Sequence, residues 1–227
     1  MNKSGTQGFD ISGKSAAVIG CGGLGCNIAV HLAGAGIGKL VLIDFDTVSE
    51  SNLNRQFLYT VEDAGKSKAK LAAERLKKYS PETDVIFINK KISDTADLSE
   101  IKNCDIVFAA VDNNNARKIL QRFCSENSLP LVNGGINGFC GSVYLYVPQK
   151  TPCLDCAGQI QNESGHIFSV STTAGIIGAL QAEIGIKYLL GDEEAAGILH
   201  IYDCGEISKL KIKTQADCGF CGVNKNV

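Results

Sequence analysis

Gly20, Gly22 and Gly25 are spaced G-x-G-x-x-G in the run AVIGCGGLG, between a predicted strand and a predicted helix. That pattern lets backbone N–H groups and a helix N-terminus come close to a phosphate. Asp44 follows nineteen residues after Gly25 and ends the next predicted strand, where a carboxylate can accept hydrogen bonds from ribose hydroxyls. Taken alone these residues say only nucleotide, with NAD as the default. The run DFDTVSESNLNRQFLY from Asp44 to Tyr59 argues otherwise, because it places Asn52 and Arg55 just past the sheet edge, and Lys68 opens the following helix. An arginine and a lysine converging on one nucleotide suit a triphosphate, whose charge they neutralise as pyrophosphate leaves. Asp112, in FAAVDNNNAR, follows a predicted buried strand at the C-terminal sheet edge, where a carboxylate can hold Mg²⁺ or orient a phosphate. Each residue has a plainer alternative: Arg55 paired with a surface acid, Lys68 in a solvated KSKAK run, Asp112 as an N-cap. Their order along one nucleotide-binding sheet favours the site.

Ten cysteines are present. Cys153 and Cys156 form one C-x-x-C, Cys218 and Cys221 a second, with sixty-one residues between the pairs. Four thiolates can close a tetrahedron around Zn²⁺ with Zn–S near ~2.3 Å, and a site filled by four protein ligands leaves no open position, so its role is structural. It would clip the C-terminal tail onto the body, metal-binding energy acting as folding energy. Two unrelated pairs or a redox disulfide are the alternative, although a redox C-x-x-C is expected to open a helix after an early strand. Cys21, Cys26, Cys104, Cys124, Cys140 and Cys204 lie in or beside apolar runs and are expected to be small core residues.

These residues need a scaffold, and the first half supplies one by alternating short β-branched runs with helical periods, the pattern of a parallel sheet covered by helices. The expected order is strand Ser15 to Ile19, helix Leu24 to Ala35, strand Lys39 to Asp44, helix Lys66 to Tyr79 and strand Val85 to Asn89. A strand Asp105 to Ala109, a helix Asn114 to Asn127 and a strand Leu131 to Gly134 follow. In the second half, Cys140 to Val147 alternates like an exposed edge strand, Thr173 to Leu190 reads as a long apolar helix, and Ile198 to Asp203 with Ile207 to Ile212 as a hairpin. The stretch Gly158 to Ser171 has no clear period, and long loops of that kind are often functional.

Composition bounds the function. A chain of 227 residues with 44% apolar residues can bury a sizeable core and is expected to form one domain, a nucleotide-binding half at about 14–135 followed by a half at about 136–222. Twenty-two basic against 24 acidic residues, net −2, is too little positive charge to hold a phosphate backbone, so nucleic acid is not an expected partner. The N-terminus lacks an apolar signal region, which points to the cytoplasm. The window Ala16 to Gly38 carries no Asp, Glu, Lys or Arg, but its seven glycines fit a buried strand, turn and helix better than a membrane span.

The combination resembles the ThiF/MoeB/HesA family of ubiquitin-activating-enzyme-like adenylyltransferases. It is carried by GCGGLG (Gly20 to Gly25), LIDFDTVSESNLNRQ (Leu42 to Gln56), GKSK (Gly65 to Lys68), VDN (Val111 to Asn113) and both C-x-x-C pairs. The resemblance implies a Rossmann-like, mostly parallel sheet with helices on both faces, extended by antiparallel strands and a zinc-clipped tail. It implies a homodimer that uses Mg-ATP to adenylate the C-terminal Gly-Gly carboxylate of a ubiquitin-fold sulfur-carrier protein, the carrier being held by the second half of the chain. Positions matching Gly23 and Asp44 would hold adenosine, those matching Ser51, Asn52, Arg55 and Lys68 the phosphates and ribose, and Asp112, with Asn113 beside it, would be catalytic.

Two departures stand out. Many relatives reach a partner's nucleotide site with an N-terminal arginine, whereas the arginines here are Arg55, Arg75, Arg117 and Arg122, so either Lys3 or Lys14 is a poor substitute or the charge comes from elsewhere. Some relatives carry an acceptor cysteine in the crossover loop, and Gly158 to Ser171 has none. The expected end product is therefore the acyl-adenylate, with a separate sulfur donor. Of the histidines, His166 is a candidate in that loop, while His31 and His200 read as packed or rim residues. Other readings are an adenylating relative acting on a peptide or an RNA nucleoside, and a non-catalytic nucleotide- or carrier-binding module.

Overall fold

The β-branched and leucine-rich runs become β1 (Ser15–Ile19), β2 (Lys39–Ile43), β3 (Asp84–Ile88), β4 (Ile106–Ala109) and β5 (Leu131–Asn137), all parallel. The computed structural model describes residues 9–160 and 169–222. Beyond β5 the chain turns back through β6 (Cys140–Tyr146), then β7 (Ile198–Asp203) and β8 (Glu206–Lys211), each antiparallel to its neighbour. The eight strands form one sheet in the order β3-β2-β1-β4-β5-β6-β7-β8.

Residues alternate across this sheet because side chains on a strand point to opposite faces. On β1, Ala16 and Val18 join one core and Ala17 and Ile19 the other. The first core is covered by α1 (Gly23–Gly34), α2 (Lys68–Tyr79) and α4 (Ser171–Leu189). On the other face lie α3 (Asn114–Glu126), a 3₁₀ helix at Thr95–Ile101 and the turn at Cys153 and Cys156. Helices therefore cover both faces, as a sheet apolar on both sides requires. The strand order reverses between β1 and β4, which opens a crevice at their C-terminal ends where doubly wound sheets bind ligands.

Three expectations are corrected. β6 is not an edge strand: β5 and β7 pair with it on its two sides, and Val143, Tyr144, Leu145 and Tyr146 are buried. The polar alternation at its start reflects the end of the sheet, and the outer edge is β8, whose six residues are all exposed. Cys140 and Cys204 are exposed rather than core, since Cys140 begins β6 at the sheet's end and Cys204 sits in the turn between β7 and β8. The other four, Cys21, Cys26, Cys104 and Cys124, are buried as expected. Among the described residues no helix is long and apolar enough to cross a membrane. His166 and Lys3 lie outside the described residues.

Candidate nucleotide site and cysteine centre

Each glycine of the turn after β1 has a different local reason. Gly20 adopts φ +95°, and a Cβ there would meet the Ala110 carbonyl oxygen at 2.5 Å. A Cβ at Gly25 would collide with the Gly20 carbonyl oxygen, so α1 can begin this close to β1 only without a side chain. Gly22 is different: a Cβ there would touch only the Gln56 side chain, at 3.5 Å. It faces the crevice and leaves backbone exposed to a ligand. Gly22 is also the N-cap of α1, and no side chain caps the first turn. Unpaired amides with the positive end of a helix dipole make an anion site.

The crevice is a cavity of about 570 Å³, within the ~300–1,000 Å³ range of small-molecule sites. The glycine turn forms one wall; Asp44 reaches it from the end of β2, Asn52 and Arg55 from the segment between β2 and α2, Lys68 from the start of α2, and Asp112 and Asn113 from the turn after β4. Ser51 does not line it. That residue sits exposed on a 3₁₀ helix (Glu50–Asn52), its hydroxyl 3.0 Å from Ser49 Oγ.

Asp44 follows β2 and is buried. Its carboxylate accepts from Cys21 N at 2.6 Å and from Asp46 N at 2.8 Å. Burial raises its pKa, while those two N–H donors and the Lys68 charge pull it back down. Lys68 is 4% exposed and its Nζ lies 3.2 Å from Asp46 Oδ2. It is not part of a solvated run but a buried ammonium paired with Asp46 at the cavity wall. Asp112 is exposed at the cavity rim. The N-cap of α3 is instead Asn113, whose Oδ1 accepts from Ala116 N at 2.8 Å.

The segment between β2 and α2 carries Asn52 and Arg55 and must be held in place. Tyr59 does part of this: its hydroxyl sits 2.9 Å from the Cys21 carbonyl and 3.2 Å from that of Lys68, joining the glycine turn to the start of α2. From α2, Arg75 donates to the Leu58 carbonyl and pairs with Asp63, which closes a capping box with Thr60. Arg55 runs its stem along the α1 N-terminus, where a Cβ on Gly23 would come 3.1 Å from Arg55 Cγ. Its guanidinium donates to Asn54 at 3.0 Å rather than to a surface acid.

Sequence reasoning missed Arg117, Lys90 and Lys91, which also line the cavity. Arg117 donates to the Val111 carbonyl at 3.1 Å and to that of Gly134 at 3.4 Å, bridging the ends of β4 and β5 beside Asp112. Its position one helical turn after the Asn113 cap was the available signal. Lys90 pairs with Asp97 at 3.1 Å, and Lys91 Nζ lies 5.5 Å from the Phe45 ring centroid. Lys14 pairs with Asp105 at 3.9 Å and is not in the cavity wall.

The two C-x-x-C pairs meet. Cys153 and Cys218 Sγ are 3.5 Å apart, as are Cys156 and Cys221, and all four sulfurs lie within 4.8 Å of one another. Sulfurs at tetrahedral corners about ~2.3 Å from zinc are spaced close to this. Cys156 Sγ also accepts from Gln215 N at 3.4 Å, and Gln121 on α3 holds the first turn through Leu154 N at 2.6 Å. At Gly222 a Cβ would meet the Cys218 carbonyl oxygen at 2.5 Å, so the second turn closes on a glycine. The donor set and spacing fit a closed zinc site.

A model of the ThiF family matches residues 5–221. The chain belongs to the ThiF family. A relative from Salmonella typhimurium, molybdopterin-synthase adenylyltransferase, is 32% identical over 230 residues, covering 95% of this chain and 92% of its own. The sulfur carrier protein ThiS adenylyltransferase of Escherichia coli is 32% identical over 213 residues, covering 90% and 84%. Among solved structures, E. coli MccB with ATP superposes with a TM-score of 0.83 at 27% identity, over 93% of this chain and 68% of that one.

Proposed function

We propose that this chain is an adenylyltransferase that uses ATP to convert the C-terminal Gly-Gly carboxylate of a ubiquitin-fold sulfur-carrier protein into an acyl-adenylate. The observation that carries this reading is the convergence of Arg55, Lys68 and Asp112 with the glycine turn on one cavity. Two cations converging on one nucleotide suit a triphosphate, whose charge they neutralise. Two relatives similar over most of their lengths bear names of this activity, one for molybdopterin synthase and one for ThiS.

In the reaction a carboxylate oxygen of the terminal glycine attacks the α-phosphorus of ATP. The bond from that phosphorus to the bridging oxygen breaks, and pyrophosphate leaves. Such a step needs charge shielding and in-line positioning more than a strong base. The α1 amides and Gly22 cradle phosphate, Asp44 accepts from ribose hydroxyls, and Asn52, Arg55 and Lys68 hold the departing pyrophosphate. Asp112 would hold Mg²⁺, which shields phosphate charge, and its exposed carboxylate at the rim suits an oxygen-seeking cation. Arg117 keeps the backbone at Asp112 fixed against β5.

Zn²⁺ on Cys153, Cys156, Cys218 and Cys221 clips the tail beneath α3 and takes no part in the chemistry. Residues 136–222 carry the carrier-binding surface of what works as a single domain, and the chain acts as a cytoplasmic homodimer with a separate sulfur donor. Calorimetry tests the nucleotide assignment. Mg-ATP binds and NAD does not, and the reverse result overturns the reading.

A further inference from the structure

Cys140, Asp203 and Cys204 form a second group of metal-ligating side chains, with one donor atom from each within 4.8 Å of the others. They come from two turns. Cys140 starts β6 and is the register partner of Asp203 at the end of β7, its thiol donating to Asp203 Oδ1 at 3.1 Å. Cys204 follows in the two-residue turn to β8, and its N–H donates to the Phe139 carbonyl at 3.3 Å. The ladder sets Cys140 opposite Asp203, and the turn brings Cys204 beside them. Cys204 has φ +47° and Gly205 φ +108°. Tight hairpin turns with both central residues at positive φ favour Asn, Asp or Gly in the first position. Turn geometry alone does not account for a thiol there.

We propose that Cys140, Asp203 and Cys204 bind a thiophilic divalent cation of the zinc class, separate from the four-cysteine centre. Two sulfurs and one carboxylate oxygen suit such a cation and not Mg²⁺ or Ca²⁺, which take oxygen ligands. Three protein ligands leave a fourth position open to solvent, the arrangement of reactive or exchangeable zinc rather than of a closed structural site. The new group lies at the start of β6, whereas the four-cysteine centre packs against Tyr144 and Tyr146 in its second half. The new one lies at the C-terminal edge of the parallel strands, the edge on which the nucleotide cavity opens. Gly135 and Ile136 in that cavity wall are on β5, and Asn137, which follows them, pairs with Cys140. A cation here ties the β7–β8 turn to the β5–β6 turn.

The test is a Cd²⁺ titration of the reduced, metal-free full-length chain, read by thiolate-to-cadmium absorbance. The wild type takes up a second equivalent after the tight first one. The double variant Cys140→Ser/Cys204→Ser loses only the second, and its circular dichroism shows that the chain is still folded. Asp203→Asn keeps both but weakens the second by about tenfold or more. Identical titrations for the wild type and the double variant overturn the proposal. A double variant that binds no Cd²⁺ while the wild type binds one, still folded by circular dichroism, supports this site and removes the four-cysteine one instead.

Discussion

Gln121, buried on α3, donates from its amide nitrogen to the Asp155 carboxylate at 2.7 Å, inside the Cys153–Cys156 turn. Its amide oxygen accepts from Leu154 N, so one side chain anchors the turn twice. The same helix begins at Asn114 beside Asp112 and carries Arg117 to the cavity wall. The cysteine centre and the nucleotide cavity therefore share a rigid element, although the metal would be remote from the reacting atoms.

Stability should respond to the cysteine centre before chemistry does. Cys218→Ser is expected to lower the thermal midpoint and the bound zinc together, with nucleotide affinity retained below the transition. Gln121→Ala should destabilise by about 1–3 kcal/mol because it strands buried polar groups of the turn. Denaturation curves with metal analysis on the same samples check both. An unchanged midpoint in Cys218→Ser contradicts the structural role.

Arg55→Ala or Lys68→Ala should slow adenylation by removing charge stabilisation worth about 3 kcal/mol, or about a hundredfold in rate. Lys68 is the sharper case, since its loss removes the direct ion-pair partner of Asp46 and a charge that pulls the Asp44 pKa down. Single-turnover rates at saturating ATP provide the measurement, and wild-type rates in either variant count against the assigned roles.

Gly134→Ala should destabilise the fold. A Cβ at Gly134 would collide with the side-chain amide of Gln181, which is fully buried on α4 and donates to the carbonyls of Ala109 at 3.1 Å and Val132 at 3.3 Å. Overpacking of this kind costs about 1–3 kcal/mol. Urea unfolding reads the loss, and a variant as stable as the wild type would show that Gln181 has room to move.

His200 should give the fold an acid-side weakness. Burial, and then the nearby charge of Lys209, lowers its pKa. The unfolded chain, titrating near pH ~6.5, then binds the proton more readily than the folded one. Stability is full above that pH and falls on acidification through it toward the lowered folded value. His200→Gln should flatten this part of the profile. Urea midpoints between neutral and mildly acidic pH decide it, and equal slopes in both proteins contradict the prediction.

Much of this was legible in the sequence where a local rule governs. The glycine spacing, the strand ending at Ala109, that of β2 to within one residue, and the hairpin of β7 and β8 follow from period and turn chemistry. Residues whose part depends on what folds against them were not legible. Arg75 and Gln121 look like ordinary helix-surface polar residues until the loop and the cysteine turn pack onto them. Cys140 reads as core because an apolar run follows it, and only the ladder shows that it lies at the sheet's end. β6 read as an edge for the same reason, since the hairpin that covers it comes some fifty residues later in the chain.

The most direct test of the central claim is ATP–pyrophosphate exchange with a ubiquitin-fold carrier ending in Gly-Gly. Exchange should appear when the carrier is added and disappear when its terminal glycine is removed. Intact-mass spectrometry should show no thiol-sensitive adduct on this chain, because no cysteine lies between Gly158 and Ser171 and burial holds the thiol of Cys21 well above its ordinary pKa. Exchange that is indifferent to the carrier's terminal carboxylate, or absent with every such carrier while Mg-ATP binds, would contradict the account.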